Sequence, residues 1–227
     1  MTFGMRIRAL VAAVAGILAA IGVAAPAGAA PQTYSVAITT IEGSTDDHLG
    51  NWRIEIGELS GGDRAVVAAF NTASRAAAQE MVDDLKEVAG PGREWNLEIA
   101  GNVTFHGVAI AQLVIGTAYY GAVPTITPTA IVIDSRTAQP ITLADLFVDE
   151  QAGLQRLSEQ TKLIVGVPDQ DGTAPVAENF ANWIPTAEGM EIHIAPYQFG
   201  VRMAEIITVP WPALSDLLAP HMADLRN

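Results

Sequence analysis

Between Asp63 and Gly90 the apolar residues Val66, Val67, Phe70, Ala73, Ala77, Met81, Leu85 and Val88 recur every three or four positions. That spacing predicts one amphipathic helix. Gly61-Gly62 precedes the run with Asp63 placed to cap it, and Gly90-Pro91-Gly92 stops it, so both ends are marked. Arg75, Glu80, Asp83, Asp84, Lys86 and Glu87 lie mostly off the stripe. A long helix with one apolar stripe must lie on another layer, and the flanking segments alternate with period two, as strands do. Tyr34–Ile41 sets Tyr34, Val36 and Ile38 against polar or small neighbours. After a polar loop over 42–50, Asn51–Leu59 puts Trp52, Ile54 and Ile56 on one face. Glu94–Phe105 alternates Trp95, Leu97, Ile99, Val103 and Phe105 about a Gly101-Asn102 bend. His106-Gly107 reads as a hairpin turn into Val108–Ala118, small and apolar on both faces as a central strand is.

The strand pattern leads into Tyr119–Phe147, the stretch around which the rest is organised. A Gly121-Ala122-Val123-Pro124 turn enters a strand over Thr125–Asp134, and Pro124 and Pro128 confine its first part to an edge or an irregular strand. Ile131 and Ile133 share one face, with Val132 on the other. Ser135–Gln139 is turn-like and Pro140 closes it. Thr142 with Asp145 three residues on is a capping box, which sends Leu143, Leu146 and Phe147 to the core. Beyond it, Leu154, Leu157, Thr161, Leu163 and Ile164 predict a helix over 150–165. An acidic loop runs to Pro175 and an extended piece covers 179–184. Met190, Ile192 and Ile194 alternate with Glu191 and an outward-facing His193. Met203–Val209 is the last strand, Trp211–Leu218 a short helix, and 221–227 a frayed end. The fold class is therefore α+β, a single domain with a mixed, mostly antiparallel twisted sheet, one long helix and one or two shorter ones.

Residues 1–30 read as a secretory signal: Arg6 and Arg8, an apolar run from Ala9 to Ala25, and an Ala27-Gly28-Ala29 cleavage site. Cleavage would leave residues 31–227 as the exported domain, extracellular or in the cell wall, with no stable membrane span. There is no cysteine, so disulfides and a lipid-modified cysteine anchor are excluded. The formal charge is −13, and losing a leader with two arginines and no acid takes it to about −15. Such a charge argues against nucleic acid and anionic membranes as partners and favours encounter with a basic one.

Serines and histidines are present, but no Gly-x-Ser-x-Gly elbow is. Asp169-Gln170-Asp171-Gly172 is a fragment of a calcium loop with Thr173 where a third ligand belongs, and Asp46-Asp47-His48 has poorly convergent donors. Both read as solvated loops, and no catalytic residue, metal or cofactor is called for. Tyr119, Tyr120, Trp183, Tyr197, Phe199 and Trp211 stand near turns, and Tyr and Trp dominate interface hot spots. Tyr120 and Tyr197, with Gly121, Val123 and Pro124 of the turn, are the candidate binding residues.

Tyr120-Gly121-Ala122-Val123-Pro124, Asp134, Thr137-Ala138-Gln139 and Leu143-Ala144-Asp145-Leu146-Phe147 resemble, in order and spacing, the RsiV-like family. That family comprises the extracellular domain of a lysozyme-sensing anti-sigma factor and related mycobacterial secreted antigens. Asn179-Phe180, the 189–194 strand, Tyr197, Gly200 and Val209-Pro210 continue the match, which covers roughly 95–218. Val123 stands where the family often has His, and Ala138 where it often has Gly. The resemblance implies a secreted or wall-associated binding module that recognises lysozyme or another basic envelope or host protein. It also keeps a secreted esterase or other hydrolase as the alternative.

Overall fold

The computed structural model describes residues 33–166, 171–198 and 203–226. The expected leader, Asp169-Gln170 of the acidic loop, Phe199 and Gly200 lie outside them. Strands β1 (Tyr34–Ser44), β2 (Gly50–Gly61), β3 (Trp95–His106), β4 (Ala109–Tyr119) and β5 (Thr125–Asp134) form one sheet in the order of the chain. Every neighbouring pair is antiparallel except β2 and β3. A parallel pair needs a crossover, and helix α1 (Arg64–Ala89) supplies it. Asp63 caps α1 by accepting from the Ala65 and Val66 amides. β1 runs three residues further than its alternation shows, because Glu42–Ser44 pair with Asn51–Arg53 across a tight turn.

Parity sorts the sheet's side chains into two cores. Ile54, Ile56, Leu97, Ile99, Val114, Ile131 and Ile133 meet Val66, Phe70, Met81, Val82 and Leu85 of α1. Ala109, Ala111 and Val132 point the other way, into a second layer. That layer holds a smaller antiparallel sheet of β6 (Trp183–Pro185), β7 (Gly189–Ile194) and β8 (Glu205–Pro210). Helices α2 (Leu143–Leu146), α3 (Glu150–Val165) and α4 (Trp211–Leu214) complete it. Leu143, Leu146 and Phe147 are buried in it and the Thr142–Asp145 capping box is present, as the sequence predicts. The architecture is the expected α+β one, with its strands divided between two sheets.

Buried polar groups fix details that apolar spacing does not show. Gln112, fully buried on β4, faces α1: its amide oxygen accepts from the Gly57 N–H (2.7 Å), and its nitrogen donates to the Gly57 carbonyl (3.2 Å) and to Ser74 Oγ (2.6 Å). It replaces the strand pairing that β2 loses where its ladder with β3 ends at Glu55. Ser74 thus holds a place in the buried stripe of α1, while Val88 is exposed at the helix end. Asp134, buried at the end of β5, takes the Arg136 amide and guanidinium on its carboxylate and the Thr137 and Ala138 amides on its carbonyl. Ala138 sits at φ 60°, the left-handed region where glycine is the usual residue.

Four further expectations are corrected. Leu163 and Ile164 are exposed, because they fall outside the stripe in which Ser158 joins the expected Leu154, Leu157 and Thr161 and which Val165 extends. Asn179 and Phe180 belong to a 3-10 turn, Ala177–Phe180, and only Trp183–Pro185 of that piece is strand. His193 shares a face with Glu191 but is only 7% exposed, its Nε2 2.7 Å from Glu191 Oε1. β7 is the middle strand of its sheet, and the carboxylate satisfies the ring, so burial strands no polar group. The C-terminal end is not frayed: Pro220–Arg226 is a 3-10 turn that buries Met222 and Leu225. His106 Nε2 lies 3.0 Å from the Leu225 carbonyl. Gly107, at φ 54°, leaves room for the Asp224 backbone, which a Cβ there would meet at 2.5 Å.

Candidate binding surface

The second layer covers only part of the sheet. On the face turned away from α1, the cross-strand registers set out rows of side chains. One row reads Ser44, Asn51, Asn96, Tyr119, and the next Glu42, Arg53, Glu98, Thr117, Ile126. A third runs Thr40, Glu55, Ala100, Ile115, Pro128. Pro128 is buried and Ile115 half-buried, but toward β1 the rows are open, with Glu42, Asn51, Arg53, Asn96, Glu98 and Ala100 all exposed. This face is solvated even across the parallel β2–β3 ladder, where strands are usually covered on both sides.

Its charge is mostly acidic, with Glu42, Glu55 and Glu98 around the single Arg53. Arg53 donates to Glu55 (Nε, 3.0 Å) and to Glu42. The hydrogen bond that Arg53 donates to Glu55, the charge of Glu55 and that of Glu42 hold the guanidinium's pKa above its ordinary value. Both ion pairs are exposed, so they order the side chains more than they stabilise the fold. A shallow depression beside Trp52 is lined by Glu42, Asn51, Arg53 and Asn96. The Trp52 ring itself stacks on Trp95 at 6.1 Å, and Lys86 Nζ sits 4.6 Å from a Trp52 ring centroid, so Trp52 is spent on the fold.

The candidate residues fall in two places. Gly121, Val123 and Pro124 are exposed in the β4–β5 loop, Val123 at 70%. A side chain at Gly121 would meet nothing within 4 Å, so the turn does not demand glycine. Tyr120 is half-buried and packs against the α1-side core. Tyr197 is 64% exposed at φ 69°, in the β7–β8 connection of the second layer, with no ring contact to Tyr120. The loop therefore borders the open face, and Tyr120 and Tyr197 do not share a surface. The aromatic side chain that does stand on the open face is Tyr119, 43% exposed beside Asn96. Strand parity is the signal that finds it, since Tyr119 lies in register with Ile115 and Thr117 on the side away from α1.

Among the described residues one serine touches a histidine, Ser44 Oγ to His48 Nδ1 at 3.4 Å. The neighbouring carboxylate of Asp47 is bound to the Thr45 hydroxyl (2.6 Å) and the Leu49 amide (3.1 Å). Those bonds lower its pKa and leave the imidazole without an orienting acid, which the triad logic needs. No group of three His, Asp or Glu side chains among the described residues is placed to hold a metal, and no described helix is long and apolar enough to cross a membrane.

No protein-family model matches this chain, and no curated protein does. Solved structures do. A member of the DUF3298 family from Bacteroides fragilis superposes with a TM-score of 0.59 at 15% identity, over 86% of this chain and 97% of its own. A DUF3298 family protein from Pseudomonas aeruginosa gives 0.56 at 15% identity, over 85% and 97%. At that identity the likeness is one of fold: this chain is built on the architecture of the DUF3298 family structures.

Proposed function

We propose that this chain is an exported binding module whose open sheet face, rimmed by Tyr119 and the Gly121–Pro124 loop, engages a basic protein of the envelope or host. The carrying observation is the open face itself: an ordered array of exposed carboxylates and amides, with an aromatic and an apolar loop at its border. Acid opposite base steers encounter, and Tyr119 at the border with Val123 and Pro124 supplies the apolar anchor that specific binding needs. The resemblance to the RsiV-like family makes lysozyme the first partner to test, and the fold shared with DUF3298 structures is compatible with that reading. The Val123 position, where that family often has His, predicts weaker lysozyme binding than a dedicated sensor shows.

Calorimetric titration of the exported protein with lysozyme tests this. Binding at low salt that weakens with Glu98→Lys or Val123→Asp supports the reading. Binding indifferent to both variants places the site elsewhere, and none at low salt removes lysozyme as the partner.

A further inference from the structure

The registers of the large sheet show which backbone groups are left over. At the mouth of the β1–β2 turn the Thr45 N–H donates to the Gly50 carbonyl (2.9 Å). Directly bonded pairs alternate along an antiparallel ladder, so the odd residues of β1 bond to the even residues of β2. The odd residues of β2 face the other way, and all find partners. Leu49 accepts from the Trp95 N–H (3.0 Å). Where β3 has parted, side-chain amides stand in for a strand: Gln112 takes both backbone groups of Gly57, and Asn71 takes the N–H (2.7 Å) and carbonyl (3.0 Å) of Leu59. On the outer side of β1 nothing comparable is present. No described segment pairs with it, so Val36, Ile38, Thr40 and Glu42 each point an N–H and a C=O outward. The opposite edge is guarded by Pro128 within β5 and by the returning chain, whose Ile141 N–H bonds the Val132 carbonyl (2.8 Å). β1, with 11 residues, contains no proline, lysine or arginine, and an open edge of that kind is a template for an added strand.

We propose that β1 takes an extended basic segment of another protein as an antiparallel sixth strand. Charge selects this occupant. Glu42 and Glu55, which lie on the face turned away from α1, share the single Arg53. In the turn that ends β1, neither Asp46 nor Asp47 pairs with a lysine or arginine among the described residues. A chain of net charge −13 therefore repels a second copy along this edge and attracts a cationic strand. The outward residues also set the order of side chains. Val36, Ile38, Thr40 and Glu42 share one face with the residues that would bond to them, because directly opposed side chains lie on the same side of a sheet. A residue opposite Glu42 or Thr40 stands beside Glu42 and one strand from Glu55, which is in register with Thr40. A residue opposite Ile38 or Val36 meets an apolar strip, 62% and 41% exposed. The fitting segment thus carries lysine or arginine at two alternate positions and apolar side chains at the next two, read from its N-terminal end.

The test is calorimetric titration of the exported protein with the capped peptide lysine-threonine-lysine-threonine-valine-threonine-valine, together with amide hydrogen exchange. The peptide is expected to bind with a Kd below ~1 mM that rises with salt. The same peptide with glutamate for both lysines should bind at least ~tenfold more weakly. At saturation the amides of Val36, Ile38, Thr40 and Glu42 should exchange ~tenfold or more slowly, while those of Ala37, Thr39 and Ile41, already bonded to β2, should not change. Thr40→Pro removes one outward donor and no β2 bond, as proline on an edge does, and should abolish binding. Glu42→Lys, an exposed change, should weaken it ~tenfold. Val123→Asp, in the β4–β5 loop, should leave it unchanged, so this test and the lysozyme titration fail independently. No binding up to ~1 mM peptide, equal affinity for the acidic peptide, binding that survives both β1 variants, or protection of other amides overturns the proposal. So does a wild type that sediments as a dimer and excludes the peptide, which would give the edge to a second copy.

Discussion

Single residues in this molecule settle matters that the apolar pattern leaves open. Gln112 closes the gap where β2 parts from β3, and all three of its strong bonds are buried. Gln112→Leu would leave the Gly57 N–H, the Gly57 carbonyl and the Ser74 hydroxyl without a partner. At ~1–3 kcal/mol for a buried unpaired group, denaturant melts should show a loss of about 2–4 kcal/mol. Ser74→Ala should cost less, about 1 kcal/mol, because the amide keeps Gly57. The reverse ranking would mean that the helix contact, not the strand mimic, holds the residue. Asp134 adds a pH-dependent part. Burial alone would raise its pKa, but the hydrogen bonds and charge of Arg136 outweigh burial and hold it below the ordinary 3.8. A depressed carboxylate contributes stability that is present above the unfolded pKa and lost as pH falls through the folded one. Asp134→Asn should therefore be less stable than wild type at neutral pH, and the gap should narrow well below pH 3.8. A gap that is constant with pH would remove the ion pair as its cause.

At the scale of elements, the C-terminal turn makes the sharpest contrast between expectation and structure. Leu225 is fully buried and its carbonyl meets His106 across the hairpin. Leu225→Ala should cost about 2–5 kcal/mol, as a buried leucine does. A frayed end would register within ~0.5 kcal/mol. Parity and punctuation made most elements legible: Asp63 and Gly90 bound α1, Ile131 and Val132 divide between the two cores, and Thr142 with Asp145 closes its box. A short 3-10 turn has no repeat long enough to show an apolar stripe, so Met222 and Leu225 gave no signal. His193 was misplaced because its burial depends on a partner, Glu191, that spacing cannot supply, and the burial of Ser74, which rests on Gln112, left no mark on the apolar stripe. The split into two sheets was hidden for a related reason. Alternation says which side chains share a face, not which strand lies next to which. At the candidate surface, parity along β4 sets exposed Tyr119 on the side away from α1 and half-buried Tyr120 on the other, a signal that the enrichment of Tyr at interfaces does not carry.

For the whole molecule, the two tyrosines make the proposed surface testable by kinetics. An acidic chain and an acidic open face attract a basic protein at a distance, and salt screens that attraction over a Debye length of about 8 Å at physiological strength. Association with lysozyme should therefore slow as salt rises, and Glu98→Lys should slow it at low salt while leaving dissociation nearly unchanged. Tyr119 acts after encounter. An aromatic side chain seated against the partner holds the complex, so Tyr119→Ala should chiefly raise the dissociation rate. Tyr120 packs against the α1-side core, and Tyr120→Ala should instead lower stability, changing binding only as far as the loop loosens. Surface binding kinetics at two salt concentrations, with a melt of each variant, separate these roles. Faster dissociation in Tyr120→Ala with an unchanged melt would move the anchor to the helix side of the sheet. The open face would then be a solvated surface and not the site.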